Sequence, residues 1–278
     1  MSSPKRDVDK VLYFRSDISP FLVHLTRNVA NGEVNDKHDW TSKKNLTNIL
    51  TNFVLKYGNN GISDARFGYN QDDISSQIKQ QFFSAVSFTE TPINEIHTLL
   101  EITKREINLR PYGLVFLKDK LQKKGVSPVM YINNFNIDKK DVAEALCSLI
   151  STKPLAAAKI LPYISVFGKK LLPVRGSGGN HEDIDFTWER EWRYSSPTNS
   201  FNFSKEDVFI GLCPHSEIDY FEHKFKTAFQ LTVKESEGDD VVDKTYLLRF
   251  IDPQRNIKWY ADKLVDARQR VNLKYSVV

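Results

Sequence analysis

Cysteine is nearly absent from this chain: its 278 residues hold two, Cys147 and Cys213, with no companion pair. That excludes a disulfide scaffold and a cysteine-rich zinc site, and leads to the expectation of a reducing, cytoplasmic setting. Long apolar runs are missing as well. The longest, residues 155–167, is interrupted by Lys159 and Pro162 and is too short to span a bilayer, so no membrane partner is expected. The first ten residues contain no apolar stretch of the kind a signal peptide needs. Six histidines are scattered, and none makes a His-x-x-x-His pair with a nearby carboxylate, so no resident metal is expected. A nuclease whose acids converge on magnesium only in space stays open. Gly176, Gly178 and Gly179 are not followed by the Lys-Ser/Thr of a phosphate loop, and there is no Gly-x-Ser-x-Gly nucleophile elbow. Internal repeats and low-complexity tracts are lacking too.

The composition that remains is that of an ordinary globular protein, with 40% apolar and 27% charged residues. A formal charge of +4 hints at an anionic partner. Its lysines are dispersed, however, with Lys118, Lys120, Lys123 and Lys124 the densest group, and they draw no nucleic-acid stripe. Strand signals fall near residues 21–26, 82–88, 112–116, 128–132, 208–213 and 246–250. Helical spacing marks residues 43–57, 92–107, 118–124, 138–150, 155–165, 217–229 and 256–271. Ser42 is placed as the cap of the first helix and Gly58 as its stop; Thr91 is placed as the cap of the second, with Pro92 at its first turn. Residues 62–80 read as an irregular flap and 234–243 as a charged loop. Short strands mixed with helices predict one compact α+β domain, a mixed sheet flanked by helices.

The densest chemistry lies in Asp185-Phe186-Thr187-Trp188-Glu189-Arg190-Glu191-Trp192-Arg193. On a strand, Glu189, Glu191 and Arg193 share one face and Trp188, Arg190 and Trp192 the other. A glycine-rich loop, residues 175–183, precedes it, and residues 208–213 read as its buried partner strand. Two carboxylates carried from a loop onto a rigid strand make a plausible catalytic layout. The plain alternative is a surface strand whose Glu–Arg pairs only solvate it. Five other positions carry a similar choice. His24 and Thr26 fall on one strand face, as core polar groups with partners or as the lining of a pocket. Glu90, between a strand end and a helix start, either complements the helix dipole or touches a ligand. Tyr112 and Tyr131 stand near the ends of apolar runs, as core-edge rings or as stacking surfaces.

Five blocks carry a resemblance: residues 19–26, 88–92, 112–118, 128–131 and 185–193. In this order they resemble the AbiGi-like family of bacterial abortive phage-infection proteins, over roughly residues 11–215, with 216–278 an extension packed on the same domain. A more distant likeness implies chemistry. The His24-x-Thr26 strand, the helix containing Asn45, Leu46, Ile49 and Leu50, an aromatic strand and the late Glu-bearing strand resemble the DarT-type ADP-ribosyltransferases. That likeness implies an ADP-ribosyltransferase-like fold consuming NAD as substrate. Glu191 would then be the catalytic glutamate, Glu189 would complete a Glu-x-Glu pair, and His24 and Thr26 would hold the nicotinamide riboside. Phe88, Glu90, Tyr112, Tyr131 and Arg193 would line the rest of the NAD site, and the loop of residues 176–188 would meet the acceptor, a nucleic acid or a protein. A carboxylate fixed beside an oxocarbenium-like ribose is worth roughly 3 kcal/mol. The alternative is a non-catalytic antitoxin or sensor module that keeps the pocket shape and binds a cognate toxin, a phage-derived trigger or a nucleotide.

Overall fold

A computed structural model describes residues 18–27, 40–57, 84–101, 109–133, 145, 148–169, 183–184, 187–198, 200–237 and 240–273. The flap of 62–80, most of the helix of 138–150 and all of the expected loop of residues 175–183 except Asp183 lie outside them. The chain packs as two units, each assembled from separated stretches: Met1–Phe53, Glu90–Lys123 and Phe203–Val278 form the first, Val54–Thr89 and Lys124–Asn202 the second. Both combine helices with a sheet, so the fold is α+β.

In the first unit the strand Leu109–Leu117 is the spine. It pairs antiparallel with Phe21–Arg27 on one side and with Val208–Leu212 on the other, and the latter pairs in parallel with Phe250–Ile251. From Pro111 to Leu117 every residue of the spine is buried, which explains why its sequence is a continuous apolar run and not an alternating one. Gly113 sits opposite Leu25, where an added Cβ would stand 2.3 Å from the His24 carbonyl oxygen. Backbone in a paired strand cannot swing aside as a side chain can. Gly113→Ala is therefore expected to cost about 1–3 kcal/mol in a urea melt, through overpacking; an unchanged midpoint would mean the two strands part freely.

The first helix runs Trp40–Asn52 and buries Leu46 and Leu50 completely. It ends earlier than expected, at Asn52, and Phe53 takes the left-handed conformation, at φ 54°; Gly58, the expected stop, lies outside the described residues. That conformation is costly for a residue with a Cβ. Here ring packing offsets it, because Phe53 stacks on Phe229 at 4.7 Å and its carbonyl accepts the Phe203 N–H. Ser42 lies inside this helix and does not cap it. Neither is Thr91 a cap: Pro92 occupies that position, and the short turn Ile93–Glu95 leads into Ile96–Leu100.

Residues 234–243 were expected as a loop. Residues 234–237 and 240–243 instead belong to a two-stranded ribbon, Leu231–Glu237 against Asp240–Tyr246. Charged side chains pair across it, with the Tyr246 hydroxyl donating to Glu235 at 2.6 Å and Lys244 Nζ 3.3 Å from the same carboxylate. Exposed ribbons tolerate charge when it is matched across the strands. The expected last helix appears as Ile257–Tyr260 followed by Ala261–Arg270, burying Tyr260, Leu264 and Ala267.

In the second unit Glu191–Tyr194 is the middle strand, antiparallel to Val86–Thr89 and to Ser127–Pro128. The expected partnership with residues 208–213 is thus replaced; Val208–Leu212 pairs with the Leu109 and Phe250 strands. Both segments are rich in strand formers, and composition alone does not encode which edges meet. A ribbon of Val54–Lys56 and Ser200–Asn202 buries Phe201 against Phe88 and Tyr194. Met130–Asn133 runs parallel to Ile164–Lys169, which also pairs with Asp183–Ile184. The helix expected over 155–165 therefore covers only Pro154–Ile160 and a turn at Leu161–Tyr163 before the chain extends.

Candidate functional site

The strand bearing the charged motif starts later than its alternation suggested. Thr187–Glu189 is a 3-10 turn, closed by the Arg190 N–H on the Thr187 carbonyl, and Arg190 has φ 46°. Glu189 therefore does not share a strand face with Glu191. Left-handed backbone at an arginine breaks the period-two pattern that sequence reading assumed. From Glu191 onward the alternation holds. Glu191 and Arg193 lie on one face and Trp192, mostly buried, on the other.

Glu191 and Arg193 form a closed clamp. Arg193 donates from Nε to Glu191 Oε1 at 2.9 Å and from a terminal nitrogen to Oε2 at 2.7 Å. The Ser87 hydroxyl, from the neighbouring strand, donates to Oε1 at 2.7 Å. Arg193 is 1% exposed, and its other terminal nitrogen donates to the carbonyls of Pro162 and Ile164 at 3.0 and 3.1 Å. Four of the five guanidinium N–H groups are thereby used. The Glu191 backbone is tied as firmly: its N–H donates to the Tyr131 hydroxyl at 3.3 Å and its carbonyl accepts the Val129 N–H. Burial pushes the Tyr131 phenol up to about 12, so it stays neutral and cannot act as a base near neutral pH. The Glu189 carbonyl accepts the Thr89 hydroxyl at 2.6 Å.

Ser87 was missed in the sequence. The signal was there, since Ser87 and Thr89 alternate with Phe88 in an apolar run and so had to face together. What period cannot reveal is that this face meets Glu191. Phe88 points the other way and packs on Phe201.

The remaining candidates belong to the first unit. Thr26 is buried and its hydroxyl donates to the Ser42 carbonyl at 3.4 Å; His24 is half-buried, in register with Leu114. Glu90 is buried and accepts from Lys118 at 2.8 Å. Tyr112 is 2% exposed, with its ring against Phe221, which leaves little face for a ligand. Cys213 is free and buried, and burial pushes its thiol well above its usual range, so it is no nucleophile. Among the described residues no cluster of three or more His, Cys, Asp or Glu could hold a metal, and no helix is long and apolar enough to cross a membrane.

Residues 51–211, more than half of the chain, match the family model described as "putative abortive phage resistance protein AbiGi, antitoxin". The matched stretch contains Ser87, Glu90, Tyr112, Tyr131 and the Glu191–Arg193 clamp, whereas His24 and Thr26 precede it. No curated protein and no solved structure matches the chain.

Proposed function

This chain belongs to the AbiGi family of abortive phage resistance proteins, and from that premise we propose that it is the antitoxin-type half of a phage-defence pair, a non-catalytic module that binds a cognate toxin protein. The observation that carries this reading is the state of Glu191. A carboxylate that stabilises a developing oxocarbenium must direct its negative charge at the ribose. Here a buried guanidinium takes both oxygens at once and Ser87 takes a second bond on Oε1. Such a bidentate pair is closer to a dipole than to a free anion, and its field at a third group falls accordingly. The clamp instead fixes the strand start against Pro162 and Ile164, as a scaffold for a surface would require.

Co-expression with the protein encoded beside it is expected to give a stable complex on size-exclusion chromatography and to relieve that protein's toxicity. Incubated with labelled NAD, alone or with single-stranded DNA, RNA or cell lysate, the chain is expected to release no nicotinamide and transfer no label.

The second reading is the NAD-dependent ADP-ribosyltransferase, with Glu191 as the catalytic carboxylate and Glu189 as its companion. It is favoured by the gathering of a fixed carboxylate, the Ser87 hydroxyl and the half-buried Tyr131 at one strand start. NAD turnover by wild type that Glu191→Gln abolishes, with the fold intact by circular dichroism, would establish that reading and overturn the first.

A further inference from the structure

A cleft of roughly 450 Å³ opens on the first unit, lined by Asn94, His97, Gln254, Arg255, Asn256, Ile257 and Lys258. None of these side chains takes part in the Glu191 clamp. Two permanent cations, an imidazole and three amides place donors around an apolar patch at Ile257, and among the described residues no carboxylate contributes to the lining. The nearby acids are already engaged. Glu95 accepts from the Asn94 amide at 2.8 Å, and Asp252 accepts the backbone N–H groups of His215 and Gln254. Arg255 forms an ion pair with Asp252, its Nε 3.7 Å from the carboxylate and beyond hydrogen-bond length, so among the described residues its two terminal nitrogens are the donors that face another acceptor. Asn256 gives its side-chain oxygen to the Lys258 N–H, which leaves its NH2 as the group to offer a ligand.

Beside the cleft stands Trp259. The Arg255 guanidinium lies 5.4 Å from its ring centroid, covering one face, yet the residue is 73% exposed, so the other face is open. An indole backed by an arginine, next to a donor-lined cleft, combines the two elements that bind a nucleotide without reading its sequence. One is a flat π surface for the base, the other a set of cations and amides for the phosphate. We infer that this cleft binds a nucleotide unit of single-stranded nucleic acid, with the phosphate at Arg255 and Lys258 and the base stacked on Trp259. A duplex is disfavoured because its base faces are hidden in the stack.

The test is fluorescence anisotropy of a labelled oligouridylate at low salt, with uridine monophosphate as competitor. Wild type is expected to bind saturably. Trp259→Ala is expected to weaken binding about tenfold, and Trp259→Phe to recover part of that loss. Arg255→Ala with Lys258→Ala is expected to lower the slope of log affinity against log salt by about 0.7 per charge removed. Competition by the monophosphate as tight as binding of the oligomer would keep the phosphate-and-base chemistry and assign it to a free nucleotide. No saturable binding of either probe by wild type, or wild-type affinity in variants that are folded by circular dichroism, would overturn the inference.

Discussion

Arg193→Met is expected to lower the unfolding free energy by about 3–5 kcal/mol, among the largest losses a single substitution in this chain can produce. The side chain is buried, and its volume is nearly kept by methionine, so packing is a minor part of the loss. What remains behind is the difficulty. Glu191, with 11% of its side chain exposed, keeps only Ser87 among the hydrogen-bond donors described above, and the Pro162 and Ile164 carbonyls lose their donor. A buried carboxylate stripped of its counter-ion costs far more than the pair contributed while intact. The pair can be separated from its parts by a double-mutant cycle. Glu191→Gln alone leaves the guanidinium with two carbonyls and an amide oxygen and should cost less. Adding it to Arg193→Met should recover part of the first loss, because the orphaned charge is gone. Urea titration of the three variants measures this directly. A strictly additive result would mean that Glu191 and Arg193 do not act as a unit, and would weaken the structural reading of the clamp on which the toxin-binding proposal rests.

A loss of at least about 3 kcal/mol is likewise expected for Arg270→Met, at the end of the last helix. Arg270 is 1% exposed, and among the described residues no carboxylate accepts a hydrogen bond from it, Glu206 acting only through its charge. Its guanidinium donates instead to three backbone carbonyls: Phe229, at 3.1 and 2.9 Å, and Val208 and Lys205, each at 2.7 Å. Phe229 ends the short helix Lys226–Phe229, and its carbonyl is one of those a helix leaves without an internal partner. Burial pulls the guanidinium down to about 10, still far enough above neutrality for it to remain charged. Desolvation therefore works against the site and the three carbonyls work for it. Removing the arginine forfeits the favourable part and takes this donor from the buried Phe229 and Val208 carbonyls, each worth about 1–3 kcal/mol, and from the part-buried Lys205 carbonyl. Arg270→Lys retains the charge but one nitrogen cannot reach all three oxygens, so an intermediate loss is expected. A methionine variant as stable as wild type in urea, at an unchanged m-value, would show that water replaces the guanidinium without cost.

Both arginines illustrate how far the sequence could be read. Arg193 was singled out because it shares a strand face with Glu191, and that part follows from local geometry alone. Its other partners lie 31 and 29 positions back in the chain, at Pro162 and Ile164, and Ser87 lies 104 positions before Glu191. No periodicity reaches that distance. Arg270 stands in the last helical turn, where cations suit the dipole, and its local sequence does not set it apart. Nothing local announces that three carbonyls from two other segments converge on it. The cleft beside Trp259 is a similar case: its Arg255 and Lys258 are unremarkable among dispersed basic residues until Asn94 and His97 are brought beside them.

By itself, the sequence determined the α+β class, a strand over 112–116, a last helix within 256–271 and the common face of Glu191 and Arg193. These depend on side-chain period and on the apolar character of short runs, which act within a few residues. Tertiary structure alone decided that Glu189 leaves that face, because left-handed backbone at Arg190 interrupts the strand. It alone decided that the Glu191 strand pairs with Val86–Thr89 and Ser127–Pro128, and that a motif resembling a catalytic one is closed by a buried arginine. Hydrogen bonding is the physical reason: buried polar groups must find partners wherever the packed chain supplies them, and those partners come from any distance along the sequence.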